Sequence, residues 1–250
     1  MDQPRARPLV TIVVPAKNEE RTIGRTIQGL PRATLSALGF ETEVVVLDGQ
    51  SRDRTAQIAH DWGATVLQDE EPGKGSAFRR AVPLLAGDIV VMVDADATYA
   101  ADAIPAAVAM VADDGADVVV GRRRPQPGAM RPLHRVGNRM LSLAASVLYG
   151  RRCADVCTGL WAFRAEALRR LPLSARGFDL EAELWALSCR SGLSIAFVDV
   201  DYLPREGAAK LSTLRDGWRI AARLLRSRVR TLPPSRGPLP QRPAKPGVGA

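Results

Sequence analysis

The amino-acid sequence predicts an α/β protein: a doubly wound, mostly parallel sheet flanked by helices, with an amphipathic helix towards its C-terminal end. Two observations carry this. Short apolar, β-branched runs recur at 9–14, 43–47, 64–67, 88–93 and 117–120, with helix-length segments between them. Strands alternating with helices pair in parallel through right-handed crossovers. Several of these runs also end on acidic or small residues, and open α/β sheets gather their ligands at the carboxyl ends of strands.

The first strand, 9–14, stops at Pro15, and a helix is expected over 20–38. The strand 43–47 ends at Asp48-Gly49-Gln50-Ser51, where Ser51 is placed to cap a helix over 52–62 and Asp53 suits its first turn. A short strand 64–67 leads through an acidic loop to Gly73-Lys74-Gly75 and a helix over 76–85. Residues 88–93 are apolar without alternation, as in a strand covered on both faces, and end on Asp94-Ala95-Asp96. A helix over 102–112 and a strand over 117–120 follow. Then the character changes: Arg122-Arg123-Arg124 opens a loop to residue 132, ahead of a helix over 134–148. The remaining expectations are a strand over 156–164, a helix over 178–188, a strand over 195–202, a loop over 204–210 and a last helix over 211–232. The tail from Pro233 holds six prolines and little to bury, so disorder is expected there.

With 46% hydrophobic residues among 250, a sizeable core is available. The three cysteines, Cys153, Cys157 and Cys189, lack metal-ligand spacing and fit reduced thiols in a cytosolic protein. Residues 1–8 lack the apolar centre of a signal peptide, and no run approaches a spanning helix. The net charge of +8 is concentrated at one end. Residues 203–250 carry eleven Lys/Arg against two acids, and the rest of the chain 24 against 25. A nearly neutral body argues against a nucleic-acid groove; a basic end suits a membrane surface or an anionic ligand. The expected location is the cytoplasm, at the inner face of the cell membrane.

Asp94 and Asp96 can serve one ion if the chain turns there. Ala95 and Ala97 leave room for that turn. A hard divalent cation held to a diphosphate is the guest such a pair suits. A lone D-x-D is more often two solvated loop acids, and here the other motifs shift the balance. In the last helix, Leu214, Trp218, Ala221, Leu225 and Val229 recur at helical spacing among arginines. That pattern fits a helix lying in a membrane interface and equally one packed on the sheet. Asp179 and Glu183 share a helical face, as solvated acids or as part of an acceptor cleft.

Asp94-x-Asp96 resembles the metal-binding motif of nucleotide-sugar-dependent glycosyltransferases with the GT-A fold. Val14-Pro15-Ala16-Lys17-Asn18-Glu19-Glu20, Asp48-Gly49-Gln50-Ser51-Arg52-Asp53-Arg54-Thr55 and Gly73-Lys74-Gly75 resemble glycosyltransferase family 2 in the same order. Gly121-x-Arg123, Asp155-x-x-Thr158-Gly159 and Arg205-x-Gly207-x-x-Lys210 narrow the likeness to the dolichol-phosphate mannosyltransferase and polyprenyl-phosphate glycosyltransferase group. The chain departs from that group in Thr98, where its mannosyltransferases usually have glutamine, and in Arg122 and Ala209, where serine is usual.

The resemblance implies one GT-A domain over 1–232: a nucleotide-sugar-binding half to 121, an acceptor half over 122–213 and the basic helix over 214–232. It implies Mg²⁺ or Mn²⁺ held by Asp94 and Asp96 with Thr98 nearby. It implies donor contacts from Pro15, Ala16, Asn18, Glu19, Leu47, Asp48, Gly49, Lys74, Ala95, Arg205 and Lys210. Arg123 and Arg135 would receive the acceptor's phosphate, a task that suits the planar guanidinium fork. The implied reaction is inverting transfer of a hexose, from a GDP-mannose or UDP-glucose type donor, to a polyprenyl or dolichyl phosphate. An ionised phosphate needs no strong base; a hydroxyl acceptor would, and Asp155 is the candidate, with holding its own loop as an equal alternative. Three rivals remain. Asp94-x-Asp96-x-Thr98 also resembles the haloacid-dehalogenase phosphohydrolase signature, though that usually opens its domain. A nucleotidyltransferase would carry a Gly-rich loop after the first strand, which Pro15-Ala16-Lys17-Asn18 is not. A binding module would hold the nucleotide sugar and form no product.

Overall fold

The computed structural model describes residues 7–69, 71–206 and 213–231. One seven-stranded sheet organises them, in the order β3-β2-β1-β4-β6-β5-β7. The strands are β1 (Leu9–Ala16), β2 (Glu41–Asp48), β3 (Thr65–Gln68), β4 (Ile89–Met92), β5 (Val118–Pro125), β6 (Trp161–Arg164) and β7 (Ile195–Tyr202). All run in parallel except β6, which lies antiparallel between β4 and β5. The predicted mostly parallel, doubly wound sheet is therefore present, with one reversed strand inserted.

Side-chain alternation divides the core. Ile12, Val14, Val44, Val46, Val91 and Val119 meet α1 (Ile23–Gln28), α2 (Arg32–Ala37), α3 (Thr55–Asp61) and α5 (Ala103–Ala112) on one face. Val13, Val45, Val90, Met92, Val118 and Trp161 meet α4 (Lys74–Ala81), α6 (Pro132–Tyr149), α7 (Ala165–Arg169), α8 (Leu180–Arg190) and α9 (Thr213–Val229) on the other. Trp161 and Trp185 are fully buried core residues, not sugar platforms.

Several expected boundaries move, each for a local reason. The single helix expected over 20–38 is two: α1 ends at Gln28, and Pro31, which has no N–H to continue the ladder, stands before α2 at φ −81° and ψ 51°, outside the helical region. Ser51 does not cap α3. Its Oγ takes the Asn18 N–H at 2.8 Å, and α3 begins at Thr55, whose N–H is held by Asp53 Oδ1 at 3.0 Å. Arg122 to Arg124 are not a loop: β7 pairs with β5 as far as Pro125, so the basic triplet is strand. Arg122 and Arg124 both pair with Asp199 on one side, while Arg123 points to the other. β6 is shorter than its expected run, since residues 156–160 form a turn. The proline-rich tail and Lys210 lie outside the described residues.

Candidate active site

The parallel strands β1, β2 and β4 deliver their carboxyl ends to one edge of the sheet, and the loops there interlock. Asn18 N–H donates to Ser51 Oγ, and Arg52 N–H returns to Asn18 Oδ1 at 2.8 Å. Glu19 N–H donates to Thr55 Oγ1 at 2.7 Å. Asn18 and Gln50 both take positive φ to make these turns. The first two sequence motifs thus form one structure, a rigid rim on which a donor can lie.

At the end of β4 the chain turns over Ala95 and Asp96, with Ala97 at a φ of 55°. Asp94 Oδ1 accepts from Lys74 Nζ at 2.6 Å, and the same ammonium meets Glu181 Oε1 at 2.6 Å. Asp96 Oδ1 accepts from Thr98 Oγ1 at 2.6 Å and from Thr98 N–H at 3.2 Å. Its Oδ2 pairs with Arg205 Nη1 at 3.1 Å, and Arg205 Nη2 reaches Glu19 Oε1 at 3.1 Å. Burial raises the Asp96 carboxyl above the usual carboxylate range, and the neighbouring Asp94 charge adds to that. Burial also works against the Lys74 charge, but Asp94 and Glu181 outweigh it and its pKa rises.

Two glycine motifs are explained by close approach. A Cβ on Gly159 would overlap the Asp94 carboxylate. A Cβ on Gly73, at a φ of 121°, would run into the Arg176 carbonyl, and one on Gly75 into the Ala175 peptide. Ser76 N–H then bonds the Arg176 carbonyl at 3.2 Å. Only backbone fits where the segment 175–177 presses Lys74 towards Asp94.

A cleft of about 950 Å³ opens over this floor. Of the expected donor residues, Pro15, Ala16, Asn18, Glu19, Leu47, Gly49, Lys74, Ala95 and Arg205 line it, together with Asp94 and Asp96. Thr98, expected beside the metal, is fully buried off the cleft wall and acts on Asp96 instead. Asp48 also sits behind the wall: its Oδ2 takes the Ser51 N–H at 3.2 Å, and its buried Oδ1 has no partner among the described residues. Arg205 Nε is likewise buried and, among the described residues, unpartnered, a donor to spare beside Asp96.

Arg123 and Arg135 do not line this cleft. They share a neighbouring cavity of about 210 Å³ with Asn138, Arg139 and Asp155, under the N-terminal half of α6. The Arg123 side chain is only 9% exposed and forks onto Asp155, with Nε to Oδ2 at 2.7 Å and Nη2 to Oδ1 at 2.8 Å, and its guanidinium lies 5.1 Å from the Tyr202 ring centroid. Asn138 Nδ2 adds a bond to Asp155 Oδ1 at 2.9 Å. Asp155, expected as a possible base, is occupied on both oxygens; its visible work is to fix Arg123 and its own turn.

Among the described residues no group of three or more His, Cys, Asp or Glu side chains could hold a metal. The donor set Asp94 and Asp96 nonetheless fits Mg²⁺ or Mn²⁺ of the kind bound by one or two carboxylates, with substrate phosphates and water completing the shell.

The family model for glycosyl transferase family 2 matches residues 11–171, well over half the chain. The chain belongs to that family. This family 2 chain is 34% identical over 218 residues to the dolichyl-phosphate hexose transferase of Haloferax volcanii, covering 87% of itself and 92% of that protein. It is 35% identical to the low-salt glycan biosynthesis hexosyltransferase Agl6 of the same organism over 85% of its own length, and spans about half (52%) of Agl6. Among solved structures, glucosyl-3-phosphoglycerate synthase from Mycobacterium tuberculosis, in complex with Mn²⁺, UDP-glucose and phosphoglyceric acid, superposes with a TM-score of 0.69 at 26% identity, covering 88% of this chain and 80% of that one. The fold is GT-A, and the chain is a glycosyltransferase of family 2.

In this transferase the last helix does two things at once. Ile220 and Leu224 are buried against the body, and Arg223 joins Asp179 and the buried Glu183. Glu183 is not a cleft acid: it holds the Ser174 and Ala175 N–H groups at 2.8 and 2.6 Å. Trp218, Leu225 and Val229 remain exposed. Sequence reasoning passed over Glu181. Its signal was that of one of two acids, with Glu183, in the first turn of a mostly apolar helix, an ordinary response to the helix dipole.

Proposed function

We propose that this protein is an inverting, metal-dependent hexosyltransferase that moves a sugar from a UDP-glucose or GDP-mannose type donor to a polyprenyl or dolichyl phosphate at a membrane surface. One observation carries the choice of acceptor. Each carboxylate on the cleft wall already holds a cation: Asp94 and Glu181 hold Lys74, Asp96 and Glu19 hold Arg205, and Asp179 holds Arg223. A hydroxyl acceptor needs a free base to take its proton, whereas a phosphate oxygen is already ionised at neutral pH. The name of the Haloferax dolichyl-phosphate relative supports the same reading.

The chain's residues divide the work. The interlocked loops after β1 and β2 seat the nucleoside. Lys74 and Arg205 lie where charge develops on the departing diphosphate, and act there as point charge and fork. Asp94 and Asp96 hold the cation, which when bound supplies Lewis-acid stabilisation of the leaving group. Arg135 and Arg139, with Arg123 fixed by Asp155, offer the small cavity as the phosphate seat. Direct displacement inverts the anomeric centre, which NMR of the product reads.

The membrane side of the proposal rests on an exposed apolar surface. α6 exposes Leu133, Val136, Met140, Leu143 and Val147 along one stripe and contains no acidic residue. α9 packs beside it, Tyr149 Oη donating to the Leu224 carbonyl at 2.6 Å and Arg228 Nε to the Leu148 carbonyl at 3.0 Å. With Trp218, Leu225 and Val229 exposed among arginines, the two helices suit an anionic bilayer surface. No described helix is long and apolar enough to cross a membrane.

Three outcomes are expected. Incubated with Mn²⁺ and labelled UDP- or GDP-hexoses, the protein forms a chloroform-extractable product from polyprenyl phosphate. If label stays in water-soluble glycosides, a hydroxyl acceptor is correct, the reading that likeness to glucosyl-3-phosphoglycerate synthase supports. Arg123→Lys keeps the charge but loses the fork, so acceptor KM rises about tenfold, within the worth of one charged hydrogen bond; a loss confined to donor affinity would reverse the assignment. Met140→Glu with Leu143→Glu, both well exposed, abolishes flotation with phosphatidylglycerol vesicles and leaves the melting temperature unchanged to about 2 °C, as surface changes do.

A further inference from the structure

The two aspartates are built alike. Each gives one oxygen to a long cationic side chain. Asp96 gives Oδ1 to Thr98 and Oδ2 to Arg205. Asp94 packs Oδ2 closest to Gly159 and gives Oδ1 to Lys74. On each aspartate a cationic side chain therefore already occupies an oxygen that a metal ion could use. Neither cation rests on its aspartate alone. Lys74 is shared with Glu181 and Arg205 with Glu19, so each has a second carboxylate beyond the pair.

Lys74 is the sharper case. Its side chain is only 11% exposed while that of Asp94 is 30% exposed, so the lysine lies beneath the aspartate, not across the cleft mouth. It starts α4, between two glycines whose backbones are pressed against residues 175–177, so its Cα is fixed while four rotatable bonds leave its ammonium free to travel. Glu181, from the first turn of α8, is buried and holds no other described partner by hydrogen bond or ion pair.

We propose that Lys74 is a displaceable counter-ion and Glu181 the positioning residue that holds it in place. Without donor, Lys74 neutralises Asp94 and keeps the metal place weak for a bare divalent ion. A nucleoside diphosphate offers the ammonium a better partner, frees the Asp94 oxygen, and so couples metal binding to donor binding. Coupling of this kind is reciprocal: whatever factor the diphosphate adds to metal affinity, the metal adds to diphosphate affinity. The free enzyme then does not hold a metal that could polarise water or a wrong phosphate. This rests on the reading of Asp94 and Asp96 as the metal pair.

The test is Mn²⁺ titration of the full-length protein, followed by the EPR signal of free Mn²⁺, alone and with UDP or GDP. In the parent, bare Mn²⁺ binds weakly and the diphosphate tightens it strongly. Lys74→Met is expected to tighten bare Mn²⁺ by about tenfold or more, as removal of a charge in direct contact should. The same variant shrinks the diphosphate's enhancement by a similar factor. Arg219→Met removes an equal charge from the cleft wall, paired to Asp216 and not to the aspartates, and moves bare Mn²⁺ by less than about threefold. Glu181→Gln leaves Lys74 to Asp94 alone and weakens bare Mn²⁺, and this effect vanishes in the Lys74→Met background because it acts through the lysine. Should Lys74→Met fail to fold, Arg205→Met tests the same exchange at Asp96. Equal shifts for Lys74→Met and Arg219→Met, or an undiminished diphosphate enhancement, overturn the counter-ion role. If Asp96→Ala leaves Mn²⁺ affinity untouched, the metal reading itself fails and takes this inference with it.

Discussion

An Asp96→Ala chain is expected to lose transfer by about 10³-fold, the equivalent of roughly 4 kcal/mol of transition-state stabilisation from a metal-bound leaving group. Its fold should survive. Arg205 keeps Glu19 as a partner, and the deleted carboxylate is one that burial already disfavours as an anion. The cost is the Thr98 hydroxyl left without its acceptor, about 1–3 kcal/mol for a buried polar group. Circular dichroism melts beside product formation with Mn²⁺ present separate the two effects. Turnover at the parent's level would remove the metal from the mechanism. Stripping the parent with EDTA should reproduce the loss, and Mn²⁺ or Mg²⁺ should restore it; the variant should not recover.

Gly159→Ala is expected to cost about 10²-fold in activity through a single methyl group. Gly159 lies in the turn before β6, its N–H bonded to the buried Tyr99 hydroxyl at 2.5 Å, so the backbone cannot easily give way. The added Cβ would overlap the Asp94 carboxylate, which is the softer neighbour and would be pushed from its place beside Lys74. A displaced carboxylate is a misplaced metal ligand, and an error of about 1 Å near reacting groups costs on the order of 10²-fold. Overpacking should also lower stability by about 1–3 kcal/mol, or roughly 2–4 °C of melting temperature for each kcal/mol in a chain of this size. Mn²⁺ affinity in the presence of nucleoside diphosphate checks the cause: it should fall with activity. Full activity with alanine at this position would show that Asp94 does not need its observed placement.

The sequence was legible where local pattern and tertiary outcome share a cause. Runs of β-branched residues such as 9–14 and 88–93 became strands because a strand covered on both faces is the best way to bury them. The turn needed between Asp94 and Asp96 was readable from the small residues around it. Other signals were present and outweighed: Pro31 marks a break that the longer apolar period hid, and Ser51 looks like a helix cap until the loop after β1 claims its hydroxyl. The basic triplet 122–124 reads as loop because nothing local says that β7 will pair along it. Strand direction is likewise invisible locally, so the reversed β6 between β4 and β5 could not be anticipated.

By itself the sequence determined the α/β class, the order of its elements and the set of chemically able residues at the strand ends, since these follow from periodicity, turn chemistry and residue type. Only the tertiary structure decided which of them meet. It put Lys74 and Arg205 on the two aspartates, Thr98 behind Asp96, Glu181 beneath Lys74, and Arg123 onto Asp155 in a separate cavity. With the Arg205–Glu19 pair, these contacts join residues as much as 186 positions apart in the chain. They depend on how layers pack across a sheet, a long-range property that no local pattern encodes.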